Sequence, residues 1–185
     1  MKKFKVGISF LLLVLVCVVF QKFTLLINYI LALMLHELAH IFVATKCGYT
    51  LKEFKLSLFG VAVELNEKID EKDSFAINIS GPFFNLFLCL ICVALYWLIP
   101  VSFSILNTFC ISNLTLAIFN LLPIYPLDGF KLVEVFSKYK NPYVEFMYKY
   151  GNLILILFVV FCDNILIKLM QLLAIPFSWF WGLIF

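Results

Sequence analysis

Between Asp73 and Asp128 the chain carries no charged residue, and this run of 54 residues decides which solvent it can fold in. At about 20 residues per crossing the run is long enough for two membrane spans. Pro100, beside Val101-Ser102, marks the turn between them. The rest of the chain has the same character, with 64% hydrophobic and only 14% charged residues. A soluble domain is nearer half apolar and about a quarter charged, so this chain has too little polar surface to coat itself in water. The sequence predicts an all-α polytopic membrane protein with a small membrane-associated β-hairpin, built as one domain over residues 1–185.

About six spans are expected. A lysine-rich start and an apolar run from Val6 to Phe20 predict a first helix over 5–21. No small-residue cleavage site follows it, so it reads as an uncleaved membrane helix. Further helices are expected over 23–46, 75–98, 102–122, 143–162 and 165–185, the last carrying an interfacial Trp-rich end. Gly81-Pro82 falls inside the third, where the missing backbone donor should bend it. Partial alternation in Lys52–Leu58 and Val61–Leu65, with Phe59-Gly60 between, predicts the hairpin at about 52–65. Cys89 and Cys92 form a C-x-x-C inside an apolar stretch with no second pair, which favours packing over metal or redox chemistry.

Every basic residue is lysine. Twelve of the fourteen lie at the amino terminus, in the 46–73 loop or in 129–150, which six spans place on one side. Positive loops stay inside, so that side should be cytoplasmic. A net charge of +3 is too modest to suggest a nucleic-acid partner.

Chemistry concentrates at His36-Glu37-Leu38-Ala39-His40. Residues four apart share a helix face, so both imidazoles can hold one zinc ion. Glu37 lies next to the first ligand, close to the metal without occupying it, where it can act as the catalytic base. The chain has only these two histidines, and chance would produce the pattern roughly 0.04% of the time. The alternative is that they are packing or pairing groups. Charged groups at mid-bilayer cost roughly 2.5–3.5 kcal/mol each, which makes a purposeless His-Glu-His cluster a poor explanation.

A catalytic zinc takes three protein ligands and keeps a fourth position for water or substrate. With no third histidine, the remaining ligand is a carboxylate or a cysteine. Asp128 ends the uncharged run, among Pro123, Pro126 and Gly129, which would turn the chain so that its carboxylate points back into the bundle. The alternative for Asp128 is an ordinary helix-end charge. Cys89, Cys92 and Cys110 remain chemically able ligands, but they lie inside expected helices.

These segments resemble a family. His36–His40, then Ser80-Gly81-Pro82-Phe83-Phe84-Asn85, then Asn120-Leu121-Leu122-Pro123-Ile124-Tyr125-Pro126-Leu127-Asp128-Gly129 are similar to the three signatures of site-2 proteases, which cut proteins within the membrane. The resemblance covers about residues 25–135. It implies His36, His40 and Asp128 as ligands of one Zn2+ per chain, Glu37 as base, and Asn120, Pro126 and Asn85 as substrate-binding residues. It also implies a membrane-associated protein substrate, a membrane-protein regulator, and residence in a bacterial inner or cell membrane with the active site toward the cytoplasm. In character the chain resembles the sporulation-type branch, which matures a sigma-factor precursor. Two departures stand out: this sequence has no carboxy-terminal nucleotide-binding domain, and Phe130 stands where the family often has a second glycine. The expected function is therefore zinc-dependent intramembrane endoproteolysis. The alternatives are a membrane metal transporter or a zinc-binding membrane protein that does not cut.

Overall fold

The computed structural model describes residues 3–6, 23–57, 60–65, 69–98, 103–137 and 141–161. Its first long element is helix α1 (Phe23–Lys46). Gly48 ends it at φ 95°, a left-handed conformation that glycine adopts without strain. The Tyr49 amide donates to Ala44 O at 3.0 Å and the Gly48 amide to Thr45 O at 3.1 Å, which closes the last turn as a Schellman cap. The Tyr49 hydroxyl then donates to Asp73 at 2.9 Å and accepts from the Asp70 amide at 3.0 Å. This ties the end of α1 to the start of α2 (Glu71–Leu98). The chain continues through α3 (Phe103–Asn120), a tight turn, the short α4 (Asp128–Phe136) and α5 (Pro142–Phe161).

Helices α1, α2 and α3 pack against one another, and α4 packs on α2. Ala32 and Leu33 of α1 meet Leu116 of α3. Cys89 and Cys92 of α2 meet Cys110, Leu114 and Ile118 of α3, so the C-x-x-C lies in a packed apolar seam. Ile124 and Leu127, in the turn before α4, are clamped against Leu155 of α5.

The distribution of side chains is inverted relative to a water-soluble protein. Ile27, Leu31, Met34, Leu38 and Phe42 form an exposed stripe along α1, and Phe83, Phe87 and Leu90 do the same on α2. Asn78, Asn85, Asn113, Asn120, His36 and Asp128 are buried. Contiguous apolar surface of this kind is penalised in water and costs nothing against lipid. Several polar side chains use their donors within their own helix. Asn113 donates to Phe109 O and Asn120 to Leu116 O, while the Ser112 and Thr115 hydroxyls donate to Thr108 O and Ile111 O. Closing such bonds inside a helix is what a hydrocarbon solvent demands. Over Leu26–Lys46 and Glu71–Leu95, α1 and α2 are long and apolar enough to cross a membrane.

A three-stranded sheet sits beside the bundle in the order β1-β2-β3. Strands β2 (Leu51–Ser57) and β3 (Gly60–Leu65) pair antiparallel, with Ser57 opposite Gly60, on the segment where alternation predicts a hairpin. Strand β1 (Lys3–Val6) pairs parallel with Glu53–Leu56 of β2. The amino terminus and the loop after α1 therefore lie together, and β3 contacts α1.

Three expectations need correction. The helical bundle and the hairpin are joined by a third strand, β1, where the first helix was expected to begin. Lys3-Phe4-Lys5-Val6 alternates with a period of two, and the same lysines read equally well as the charged flank of a membrane helix. Helix α2 starts at Glu71 rather than residue 75. Its Glu71 and Asp73 sit in the first turn, where carboxylates favour the helix dipole. Gly60 belongs to β3 rather than to the connection. Pro82 lies within α2 without ending it. The body of the expected first span, residues 7–22, and the whole of the expected sixth, 165–185, lie outside the described residues.

Leu155 is fully buried against the turn that delivers Asp128. Leu155→Ala should destabilise the protein by about 2 kcal/mol, at the low end for such truncations because lipid tails are as apolar as leucine. Unfolding of the two proteins in mixed micelles, followed by circular dichroism, checks this.

Candidate metal centre

His36 and His40 lie one turn apart on α1 and present their Nε2 atoms to the same point. Asp128, the first residue of α4, reaches that point from the opposite side. Its Oδ2 lies 3.0 Å from each imidazole Nε2, and the two nitrogens are 3.1 Å apart. His36 is 1% exposed and Asp128 5%. Among the described residues this is the one group of three or more metal-binding side chains with converging donor atoms.

The triangle fits a small cation. Nitrogen and oxygen ligands of a tetrahedral zinc, at bond lengths of about 2.0–2.1 Å, stand about 3.3 Å from one another. The observed edges are slightly tighter. Two imidazole lone pairs and a carboxylate oxygen packed this closely, away from water, are satisfied together by one cation at their centre. His40 is also in the correct tautomer. Its Nδ1–H donates to Ile77 O at 2.6 Å, which leaves the Nε2 lone pair facing the triangle, and Ser80 Oγ stands 3.3 Å from the same Nδ1. His36 Nδ1 is buried without a hydrogen-bond partner.

Gly81 makes this convergence sterically feasible. A Cβ there would lie 2.3 Å from His40 Nε2 and 2.6 Å from His36 Nε2. Helix α2 therefore meets the two rings with bare backbone. On the far side, Lys131 Nζ donates to Asp128 Oδ1 at 2.9 Å. Burial pushes the Asp128 carboxyl upward, but Lys131 and the two imidazoles outweigh it and hold the group well below the usual carboxylate range. Burial pushes the Lys131 ammonium downward, and Asp128 with Glu37 holds it above its ordinary value. Glu37 is half-buried and near enough to act electrostatically on both His40 and Lys131.

A profile of Peptidase family M50 matches residues 23–103 and 98–162, which include all three donors and Glu37. The chain belongs to this family, the site-2 proteases. This M50 chain is 30% identical over 150 residues to the zinc metalloprotease MJ0392 of Methanocaldococcus jannaschii, covering 76% of this chain and 44% of that one. It is 34% identical over 112 residues to stage IV sporulation protein FB of Bacillus subtilis, covering 59% and 39%. The chain thus spans less than half the length of either relative. The solved site-2 protease from Methanocaldococcus jannaschii superposes with a TM-score of 0.72 over 91% of this chain and 85% of that one. At 24% identity that likeness shows a shared fold.

The remaining residues singled out in the sequence are placed as follows. Asn120 is buried at the end of α3 and bonds back to Leu116 O. Pro126 lies half-buried in the turn to α4, after a cis Tyr125–Pro126 peptide. Asn85 is fully buried one turn beyond Gly81, and neither of its amide atoms has a hydrogen-bond partner. Cys110 lies with Cys89, their sulfurs 3.0 Å apart, and takes no part in the donor triangle. Phe130 is 1% exposed and stacks edge-on against Tyr125 and Tyr148, so it fills an aromatic niche. The sequence places Gly81 in a helix bend and in the Ser80–Asn85 segment, and Lys131 among the lysines of 129–150, without assigning either to the site. The quoted Ser80-Gly81-Pro82 segment was a signal for the first; the i,i+3 spacing from Asp128 was the signal for the second.

Gly81→Ala should leave the helix intact, since alanine is about 1 kcal/mol the better helix former. It should weaken Zn2+ binding at least tenfold by pushing the imidazoles apart. Competition with a chromophoric chelator, alongside circular dichroism, separates these two effects.

Proposed function

We propose that the chain is a zinc-dependent intramembrane endopeptidase that cleaves a membrane-associated protein in regulated proteolysis. The observation that carries this reading is the convergence of His36, His40 and Asp128 beside Glu37 within an apolar bundle. Zinc held by the three donors would supply Lewis-acid polarisation of the scissile carbonyl and acidify water. Glu37 then takes a proton from the attacking water and passes it to the leaving amine. Asn85, with a buried amide donor and acceptor both unpartnered, is suited to hold a substrate peptide group. Asn120 and Pro126 border the turn that carries Asp128 and would shape the groove.

A peptide bond must leave its helix before it can be cut, and a sheet beside the bundle suits that step. An extended substrate can pair along an open strand edge, and β3 lies against the helix that carries both histidines. The similarity to stage IV sporulation protein FB supports a regulatory precursor, such as a sporulation sigma factor, as substrate, with a membrane protein as regulator. A transporter would need donors spaced along a path, whereas the described residues offer one closed cluster.

We further read six spans with the loop side in the cytoplasm. The pairing of β1 with β2 supports this reading, since it would hold the amino-terminal strand and the 46–73 loop on one side after an even number of spans. That side also holds most of the lysines. His36 and His40 lie six to ten residues before the end of α1. At 1.5 Å per residue the site is about 9–15 Å below that end, closer to the cytoplasmic surface.

Glu37→Gln should retain zinc and lower cleavage by about 10²- to 10⁴-fold, the usual contribution of a general base. Metal content and cleavage of a co-expressed membrane-bound regulatory precursor are measured on the same preparations. Residual cleavage near the wild-type level would assign the base elsewhere.

Cys47 is exposed in the loop after α1 and reports orientation without an engineered site. A membrane-impermeant maleimide should miss it in intact cells and reach it after lysis, read as the difference from Cys47→Ser. Ready labelling from outside would invert the topology.

A further inference from the structure

The two oxygens of Asp128 have separate partners. Oδ2 faces both imidazole nitrogens at 3.0 Å, whereas Oδ1 accepts from Lys131 Nζ at 2.9 Å. Lys131 lies one turn further along α4, on the same face as Asp128. Its amide bonds to Leu127 O at 3.4 Å, so the stem is anchored to the turn that positions the carboxylate. A solvated i,i+3 ion pair would contribute little. This pair is different because the Asp128 side chain is only 7% exposed, while that of Lys131 is 48% exposed. The carboxylate is enclosed, and the ammonium that holds it belongs to a side chain that is itself half-exposed.

The separation has a consequence for coordination. A free carboxylate can give a metal one oxygen or both. With one, His36, His40 and Asp128 make three protein ligands, and a fourth position stays available to water and substrate, as catalysis requires. With both, Asp128 would occupy that position itself. Zn2+ sets no strong geometric preference of its own, so the choice falls to whatever holds the second oxygen. A charge-assisted hydrogen bond to Oδ1 is strong enough to compete for it.

We propose that Lys131 is a positioning residue that keeps Asp128 a one-oxygen ligand and so keeps the fourth coordination position open. The proposal rests on the metalloprotease reading of the site, and its test is arranged so that the two can fail separately.

The full chain in detergent micelles is loaded with Co2+ alone, whose visible bands weaken as coordination rises from four to five. Wild type should give the intense four-coordinate spectrum. Lys131→Met should bind Co2+ at least as tightly, because a cation beside the metal is gone, yet show the weaker five-coordinate spectrum. Its kcat should fall about 10- to 100-fold, the usual cost of losing support for a ligand, with KM within about twofold. Lys131→Arg, which retains a charged donor, should restore the four-coordinate bands and most of kcat. Lys131→Leu provides the same donor-free comparison if the methionine variant does not fold. An unchanged spectrum in the neutral variant would overturn the proposal. So would a tenfold loss of Co2+ affinity, which would make Lys131 a support for the whole donor set. A spectral change in a chain that cuts no substrate would support the role of Lys131 and overturn the protease reading.

Discussion

Everything in this fold serves the burial of one carboxylate. Asp128 is 5% exposed in a molecule whose outer faces are apolar, and an unpaired charge there would be untenable. Two imidazoles and one ammonium surround it at about hydrogen-bond distance. Each partner comes from a different constraint. The histidines follow from the four-residue spacing on α1, and Lys131 from the three-residue spacing on α4. Asp128 itself is delivered by a turn that Ile124 and Leu127 pin against α5. Helix α2 contributes the absence of a side chain at Gly81, without which the rings could not meet the carboxylate.

The bilayer explains why so polar a centre can be stable inside so apolar a chain. Hydrocarbon gives no driving force for packing apolar faces together, so the interior is free to hold asparagine, serine and histidine, provided their bonds close locally. The i,i−4 bonds of Ser112, Asn113, Thr115 and Asn120 along α3 do this. Asn85 departs from the pattern, with both amide atoms unpartnered near the metal-binding face. The amides of Asn113 and Asn120 each close one bond within their helix, whereas neither atom of the Asn85 amide does.

The sequence was most informative where chemistry and periodicity coincide. The histidine spacing predicts two ligands and a neighbouring base, the long uncharged run singles out Asp128, and the structure brings His36, His40 and Asp128 together. Helix α1 ends at Lys46, where the sequence places it, and the structure adds the Gly48 cap that closes it. Other features were hidden for physical reasons. Four residues at the amino terminus alternate too briefly for a strand to be distinguished from a charged helix flank, and only pairing with β2 resolves them. Glu71 and Asp73 read as loop charges because their benefit to a helix N-terminus depends on where the helix begins. Gly81 and Lys131 belong to the site through contacts with residues distant in sequence or in role, which composition and hydropathy do not reveal.

Exposure across the centre is graded. His36 and Asp128 are almost completely enclosed, Glu37 is half-buried, and Lys131 is half-exposed. The three donors therefore occupy the enclosed end of the site, and Glu37 and Lys131 its more open end. That ordering suits hydrolysis within a membrane. An enclosed donor set strengthens its electrostatic hold on a metal, and on the protease reading water would meet Glu37 at the more open end. The sheet contacts α1 through β3, on the helix that carries Glu37. On the protease reading, water and an unwound substrate strand could approach from the loop side, and the buried carboxylate would remain shielded from both until a peptide bond is in place.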